Sequence, residues 1–165
     1  MRDETQNAHD DAARGPLRQF LTSRLFGEDY GLPILTVREI KGLSALTPVP
    51  NSPPHIRGLM NLRGAVIPVV DLRSRFGLEE AEYGPYTVVI IVRHAEKIAG
   101  LVVDAVSDVL HLAESDIEEA RTLDLAIAES ALEGVGKVGE KLVLLLDLDH
   151  LLDAETMEFH EERAA

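Results

Sequence analysis

The 165 residues suit one domain, or one built of two similar halves, and 45% hydrophobic content supplies a sizeable core. Only 4% are aromatic and Trp is absent, so that core is aliphatic. A formal net charge of −13 with no Lys/Arg-rich run argues against nucleic-acid binding. With no cysteine, disulfides and thiol catalysis are excluded. The apolar runs Val88–Val92 and Leu142–Leu146 are far short of the ~20 residues of a membrane helix. The N-terminus lacks the basic-then-apolar order of a signal peptide, so a cytoplasmic location without membrane insertion is expected.

Residues 1–16 are acidic and lack apolar periodicity, as expected of a disordered tail. Strands are predicted over Phe20–Phe26 and Tyr30–Ile34, with Gly27-Glu28-Asp29 as the turn. Thr36-x-x-Glu39 has capping-box spacing and predicts a short helical turn ended by Gly42. Ser44–Val49 reads as a strand, and the proline cluster 50–54 as a rigid connection leading into Ile56–Leu62.

The stretch Asn61–Leu78 is the most informative. A polar turn, Asn61-Leu62-Arg63-Gly64, precedes a strand of about six residues, Ala65–Val70. Pro68 cannot donate to a ladder, which predicts a sheet edge or a bulge. Asp71 suits the N-cap of a helical segment Leu72–Phe76, with Gly77 as its stop.

Residues 79–86 are acidic and turn-rich, and read as the joint between two halves. Thr87–Arg93, Lys97–Val103 and Val106–Leu112 follow as strands, the first pair turned by His94-Ala95-Glu96. Ser115–Glu118 repeats the capping-box spacing, and 123–131 has weak helical character. Leu132–Val138 and Leu142–Leu146 predict a hairpin about Gly139-Glu140, and Asp147–Leu152 ends the fold. Residues 153–165 read as an acidic tail with helical character.

The two halves repeat. At an offset of 147 − 71 = 76, Asp71 meets Asp147, Gly58 meets Gly134 and Leu72 meets Leu148. At an offset of 69, Gly31 meets Gly100, Val37 meets Val106 and Ile40 meets Val109. Two short-stranded modules of this size can each close into a small barrel, which removes most exposed edges.

No catalytic, metal or cofactor site is expected. Gly134–Gly139 matches G-x-G-x-x-G, but a strand follows it where a phosphate-holding helix is required. The six histidines are never paired at ligand spacing, and Asp147, Asp149 and Asp153 read as cap and first-turn carboxylates. Asp104 and Asp108 suit shaping a strand end. What remains is a partner-binding surface. Arg63, beside Gly64, can offer a planar fork to a carboxylate, either a partner's or that of Glu39. Val37 and Ile40 flank Glu39 as either surface or core aliphatics.

Four blocks in order carry a family resemblance: YGLPILTVREI (Tyr30–Ile40), VPNSPPHIRGLMNLRGAVIPVVDLRSRFGL (Val49–Leu78), GLVVDAVSDVL (Gly100–Leu110) and LVLLLDLDHLL (Leu142–Leu152). Over about residues 18–152 the chain resembles the CheW family of chemotaxis coupling proteins. The resemblance implies a mainly β domain over 17–152 with two SH3-like five-stranded β-barrel subdomains and short helices. It implies a non-enzymatic adaptor without cofactor. The implied partners are the cytoplasmic tip of methyl-accepting chemoreceptors and the regulatory domain of the CheA histidine kinase. By position, the family's coupling residues fall on Val37, Glu39 and Arg63, with Ile40 and Gly64 beside them, and its groove-lining aliphatics on Val103, Val106 and Val109. Ser23-Arg24 departs from the family pattern, so the first strand is expected to expose one more polar position, and 123–132 matches poorly.

Overall fold

The computed structural model describes residues 16–78, 83–120 and 131–152, so the expected tails, residues 79–82 of the joint and the 121–130 segment lie outside the described residues. Eleven strands are described: β1 (Leu17–Leu25), β2 (Glu28–Pro33), β3 (Val37–Gly42), β4 (Ile56–Leu62), β5 (Ala65–Asp71), β6 (Val88–His94), β7 (Lys97–Val103), β8 (Ala105–Ala113), β9 (Ile117–Glu119), β10 (Leu132–Val138) and β11 (Lys141–Leu146). Two one-turn helices, α1 (Leu72–Arg75) and α2 (Leu148–Leu151), follow β5 and β11. The class is mainly β, as expected. None of the described helices is long and apolar enough to cross a membrane.

The strands form a six-stranded sheet, β8-β1-β2-β11-β10-β9, and a five-stranded sheet, β3-β6-β7-β5-β4. Each sheet draws strands from both sides of residues 79–86, which corrects the picture of two consecutive halves each closing on itself. The halves interlock through the antiparallel ladders β1–β8 and β3–β6 and through two parallel pairings, Gly31 with Leu145 and Gly100 with Val69. Both pairings bring neighbouring side chains close: a Cβ would lie 3.0 Å from Leu145 Cδ2 at Gly31 and 2.7 Å from Val89 Cγ1 at Gly100. Each sheet curls around its own apolar cluster. Phe20, Leu112, Val143 and Leu145 fill the six-stranded barrel; Met60, Ile67, Val69, Val89, Ile91 and Val102 fill the other. A larger cluster, including Leu32, Leu72, Ile90, Val92, Leu101, Leu146 and Leu151, welds the two together. Strand β6 alternates between them, its Val89 and Ile91 facing one cluster and Ile90 and Val92 the other.

The repeat is visible atom by atom. Asp71 N–H donates to His55 O at 2.8 Å, and Asp147 N–H donates to Ala131 O at 2.8 Å. Both aspartates cap their helices, Asp71 accepting from the Arg73 and Ser74 amides and Asp147 from the Asp149 amide. The register slips between Ile56 and Gly58 in one copy and between Leu132 and Gly134 in the other. At both glycines a Cβ would strike backbone, Thr47 O at 2.6 Å and Glu118 O at 2.4 Å. These small residues admit the segment that closes each barrel.

Other expectations give way to pairing. The first turn is Phe26-Gly27, with φ of 53° and 80°, so β2 starts at Glu28. Two left-handed residues in succession match the twist of a hairpin. Thr36 ends a 3-10 turn, Ile34–Thr36, and its hydroxyl donates to Pro33 O at 2.6 Å, so it caps nothing. Val37–Gly42 is strand β3 on β6, because ladder bonds to a buried neighbour outweigh an isolated turn. Of Ser44–Val49 only Thr47 pairs, with Leu59, since Pro48 and Pro50 have no N–H to donate. Near Ser115 a 3-10 turn, Glu114–Asp116, has its carboxylate Asp116 accepting from Ala113 N–H at 2.9 Å, and Ile117–Glu119 is a strand.

Pro68 lies in neither an edge strand nor a bulge: β5 is interior to its sheet. Leu59 spends both its N–H and C=O on Thr47, so Leu59–Pro68 is a non-hydrogen-bonded pair of the ladder. On the other flank, pairing with β7 starts only at Val69. Of Ser23-Arg24, Arg24 is the polar position that β1 exposes, as expected, whereas Ser23 is fully buried and its hydroxyl finds no partner among the described residues.

Candidate functional site

Strands β3 and β4 are the two edges of the five-stranded sheet, and the Glu39–Arg63 ion pair spans them. A register shift between Val37 and Glu39 sets Glu39 opposite Ile91 and Ile40 opposite Ile90. Directly opposed residues share a face. Glu39 therefore lies on the barrel-interior side, and Val37 and Ile40 on the side turned toward the inter-barrel cluster. Arg63 takes φ of 50° and Gly64 φ of 90° in the β4–β5 turn, which Asn61 braces by accepting from Gly64 N–H at 2.8 Å.

The guanidinium reaches Glu39 with both terminal nitrogens, Nη1 to Oε1 at 3.4 Å and Nη2 to Oε2. The hydrogen bond from Arg63 holds the Glu39 carboxyl below its ordinary range, and the same bond raises Arg63. The Arg63 side chain is 70% exposed against 29% for Glu39, so the pair presents a charge-paired fork to solvent. Such a surface can recognise a partner's carboxylate or amide.

The remaining residues separate into two groups. Val37 and Val106 are half-buried against the inter-barrel cluster. Ile40 and Val109 are 45% and 44% exposed on the same faces, Val109 opposite the core residue Leu21. Val103 is completely buried and cannot line a groove, a correction that follows from its place on the interior strand β7 between both barrels. Gly134–Gly139 forms β10 and the turn into β11, a hairpin rather than a phosphate cradle. No group of three His, Asp or Glu side chains arranged to hold a metal occurs among the described residues. His94 and His150 each engage one carboxylate, Asp149 at 2.7 Å and Asp147 at 2.9 Å.

Sequence reasoning missed a second polar centre. Buried Asp71 accepts from Arg57 Nε at 2.9 Å and Tyr83 Oη at 3.0 Å besides capping α1. Asp104 accepts from Arg73 Nε at 2.8 Å and Phe26 N–H at 3.0 Å. Burial alone would raise the Asp104 carboxyl, but these bonds and the Arg73 charge hold it below its ordinary value. The arginine-rich run after Asp71 was the available signal, although spacing alone does not name the acid each arginine reaches.

A CheW-like domain family model matches residues 19–156. The chain belongs to the CheW family. The Chemotaxis protein CheW of Klebsiella aerogenes is 39% identical over 140 residues, covering 85% of this chain and 84% of that protein. Protein FrzA of Myxococcus xanthus is 31% identical over 138 residues, 83% and 86% of the two chains. The crystal structure of scaffolding protein TtCheW from Thermoanaerobacter tengcongensis is similar with a TM-score of 0.74 at 34% identity, covering 79% of this chain and 89% of that one. Two small barrels are thus the CheW fold, as expected; that they exchange strands was not, and here β8 and β9 are separate strands, so one barrel counts six.

Proposed function

We propose that this chain is a non-enzymatic chemotaxis scaffold that couples the cytoplasmic tip of chemoreceptors to the regulatory domain of a CheA-type histidine kinase. CheW-family membership across 19–156 is the observation that carries this reading. Its support from geometry is an exposed ion pair, Glu39–Arg63, with Val37 and Ile40 on the same edge strand as Glu39, and the partly exposed Val106 and Val109 on β8, an edge strand of the other sheet. A bidentate guanidinium fixes the orientation of what docks on it, and partly exposed aliphatics supply contact area. In this reading the protein works in the cytoplasm, held at receptor arrays by protein contacts. Calorimetric titration with a cognate receptor cytoplasmic domain and, separately, with the kinase regulatory domain tests it. Saturable binding to both is expected, and no heat of binding to either sinks it.

A coupling module for a receptor-driven pathway other than chemotaxis is the second reading. Protein FrzA, whose name does not mention chemotaxis, is similar over 83% of the chain.

A further inference from the structure

Arg63 is the first of the two residues that turn β4 into β5, between the paired residues Leu62 and Ala65. With φ of 50° at Arg63 and 90° at Gly64, both central residues are left-handed, the pattern of a type I′ hairpin. Such turns favour asparagine, aspartate or glycine at the first position, and an arginine there takes a backbone conformation that costs energy. Leu62 packs on the cluster inside the five-stranded barrel and fixes the base of the turn. Its tip is fixed by Asn61, whose Oδ1 accepts from Gly64 N–H at 2.8 Å.

The other copy of the repeat builds its two-residue hairpin without either feature. At the offset of 76, Arg63 corresponds to 63 + 76 = 139, a glycine with φ of 62°. Asn61 corresponds to 61 + 76 = 137, a lysine whose ammonium donates to Glu118 at 3.4 Å. The fold therefore asks for neither arginine nor asparagine at this corner. Phe26 is the other bulky residue at a left-handed first turn position, and a side chain holds it too, its N–H donating to Asp104 at 3.0 Å.

What the strained position achieves is visible at the end of the side chain. Arg63 meets Glu39 with both terminal nitrogens, although no ladder joins β3 to β4 among the described residues. Strand pairing thus does not set the Arg63–Glu39 geometry; the turn does, because it aims the Cα–Cβ bond of a long side chain. A costly backbone conformation held by its own hydrogen bond marks a functional position. We infer that Asn61 is a positioning residue: by holding the Gly64 amide it keeps Arg63 left-handed and its guanidinium fork fixed on Glu39. The use of that fork in coupling rests on the function proposed above; its positioning does not.

NMR titration of the Glu39 carboxyl tests the positioning with no partner present. Arg63→Gln removes the charge and gives the full rise of the Glu39 midpoint toward the ordinary carboxyl range. Asn61→Ala keeps Arg63, yet should give at least half of that rise. Its Gly64 amide should exchange roughly tenfold faster, with the Met60 and Ile67 amides of the β4–β5 ladder as protected as before. Asn61→Asp keeps an acceptor oxygen and should hold the Gly64 amide as the unsubstituted protein does. A Glu39 midpoint unmoved by Asn61→Ala, or a Gly64 amide as fast in Asn61→Asp as in Asn61→Ala, overturns the inference. In receptor-controlled kinase turnover, Asn61→Ala should lower attractant sensitivity at least twofold with Arg63 still present. Full sensitivity beside a shifted Glu39 midpoint overturns the link to coupling. An unsubstituted protein that confers no sensitivity defeats the coupling reading alone, and the Glu39 titration still decides the positioning.

Discussion

Asp71 and Asp147 occupy the same place in the repeat, yet they carry unequal loads. Asp71 is 2% exposed, caps α1 and accepts from Arg57 and Tyr83. The Asp147 side chain is 28% exposed and serves the Asp149 amide and the His150 ring. Replacing either by Ala removes a cap, which costs about 1 kcal/mol. At Asp71 the change also removes the charged hydrogen bond donated by Arg57, whose side chain stays 31% exposed and recovers part of its hydration. That adds about 2 kcal/mol, toward the lower end for charged partners. Asp71→Ala is therefore expected to lose about 3 kcal/mol and Asp147→Ala about 1 kcal/mol. For a domain of this size that is a fall in Tm of about 6–12 °C against about 2–4 °C. Urea unfolding followed by far-ultraviolet circular dichroism measures both, with m checked for constancy. Equal losses at the two positions would refute the assignment of Asp71 as a buried hub.

Gly134→Ala places a Cβ 2.4 Å from Glu118 O and should destabilise by about 1–3 kcal/mol, with amide protection lost first in β9. A crystal structure of the variant with the β9–β10 pairing unmoved would contradict this. The Asp104 carboxyl is held below its ordinary value, so its contribution is present above the unfolded-state carboxylate range. It is lost as pH falls through the depressed folded-state value. Wild type should exceed Asp104→Asn in stability at pH 7, with the gap shrinking under acid. A gap that is constant or grows as pH falls would show that Asp104 is not the ionised partner of Arg73.

Much of the fold was legible because local chemistry dictated it. Asp71 and Asp147 announce strand-to-helix junctions, and Ala95-Glu96 and Gly139-Glu140 sit between apolar runs, so hairpins β6–β7 and β10–β11 follow. The repeat offsets marked the glycines that later proved to sit at close backbone approaches, Gly58 and Gly134. The exchange of strands between barrels was not legible. Pairing β2 with its own half or with β11 buries the same Tyr30 and Leu32, and only the parallel contact of Gly31 with Leu145 decides it. Thr36-x-x-Glu39 misled because a good cap box is worth less than β3's ladder on the buried strand β6. Of the candidate site, Glu39 and Arg63 meet although 24 residues separate them, because they stand on opposite edges of one curled sheet. Val103 went wrong because a strand buried on both faces has no solvent side, and its Val-rich run reads the same either way.

The coupling reading is tested most directly by reconstituting receptor control of kinase activity from purified parts. Receptor-containing vesicles and the kinase are combined with this protein or with its Arg63→Asp variant, and ATP turnover is followed with and without attractant. The unsubstituted protein is expected to make turnover attractant-sensitive. Arg63→Asp should abolish that sensitivity with the unfolding midpoint unchanged, because an exposed ion pair adds little to stability. Turnover that ignores attractant whether or not the unsubstituted protein is present would contradict a coupling role. Full sensitivity with Arg63→Asp would remove the Glu39–Arg63 surface from it.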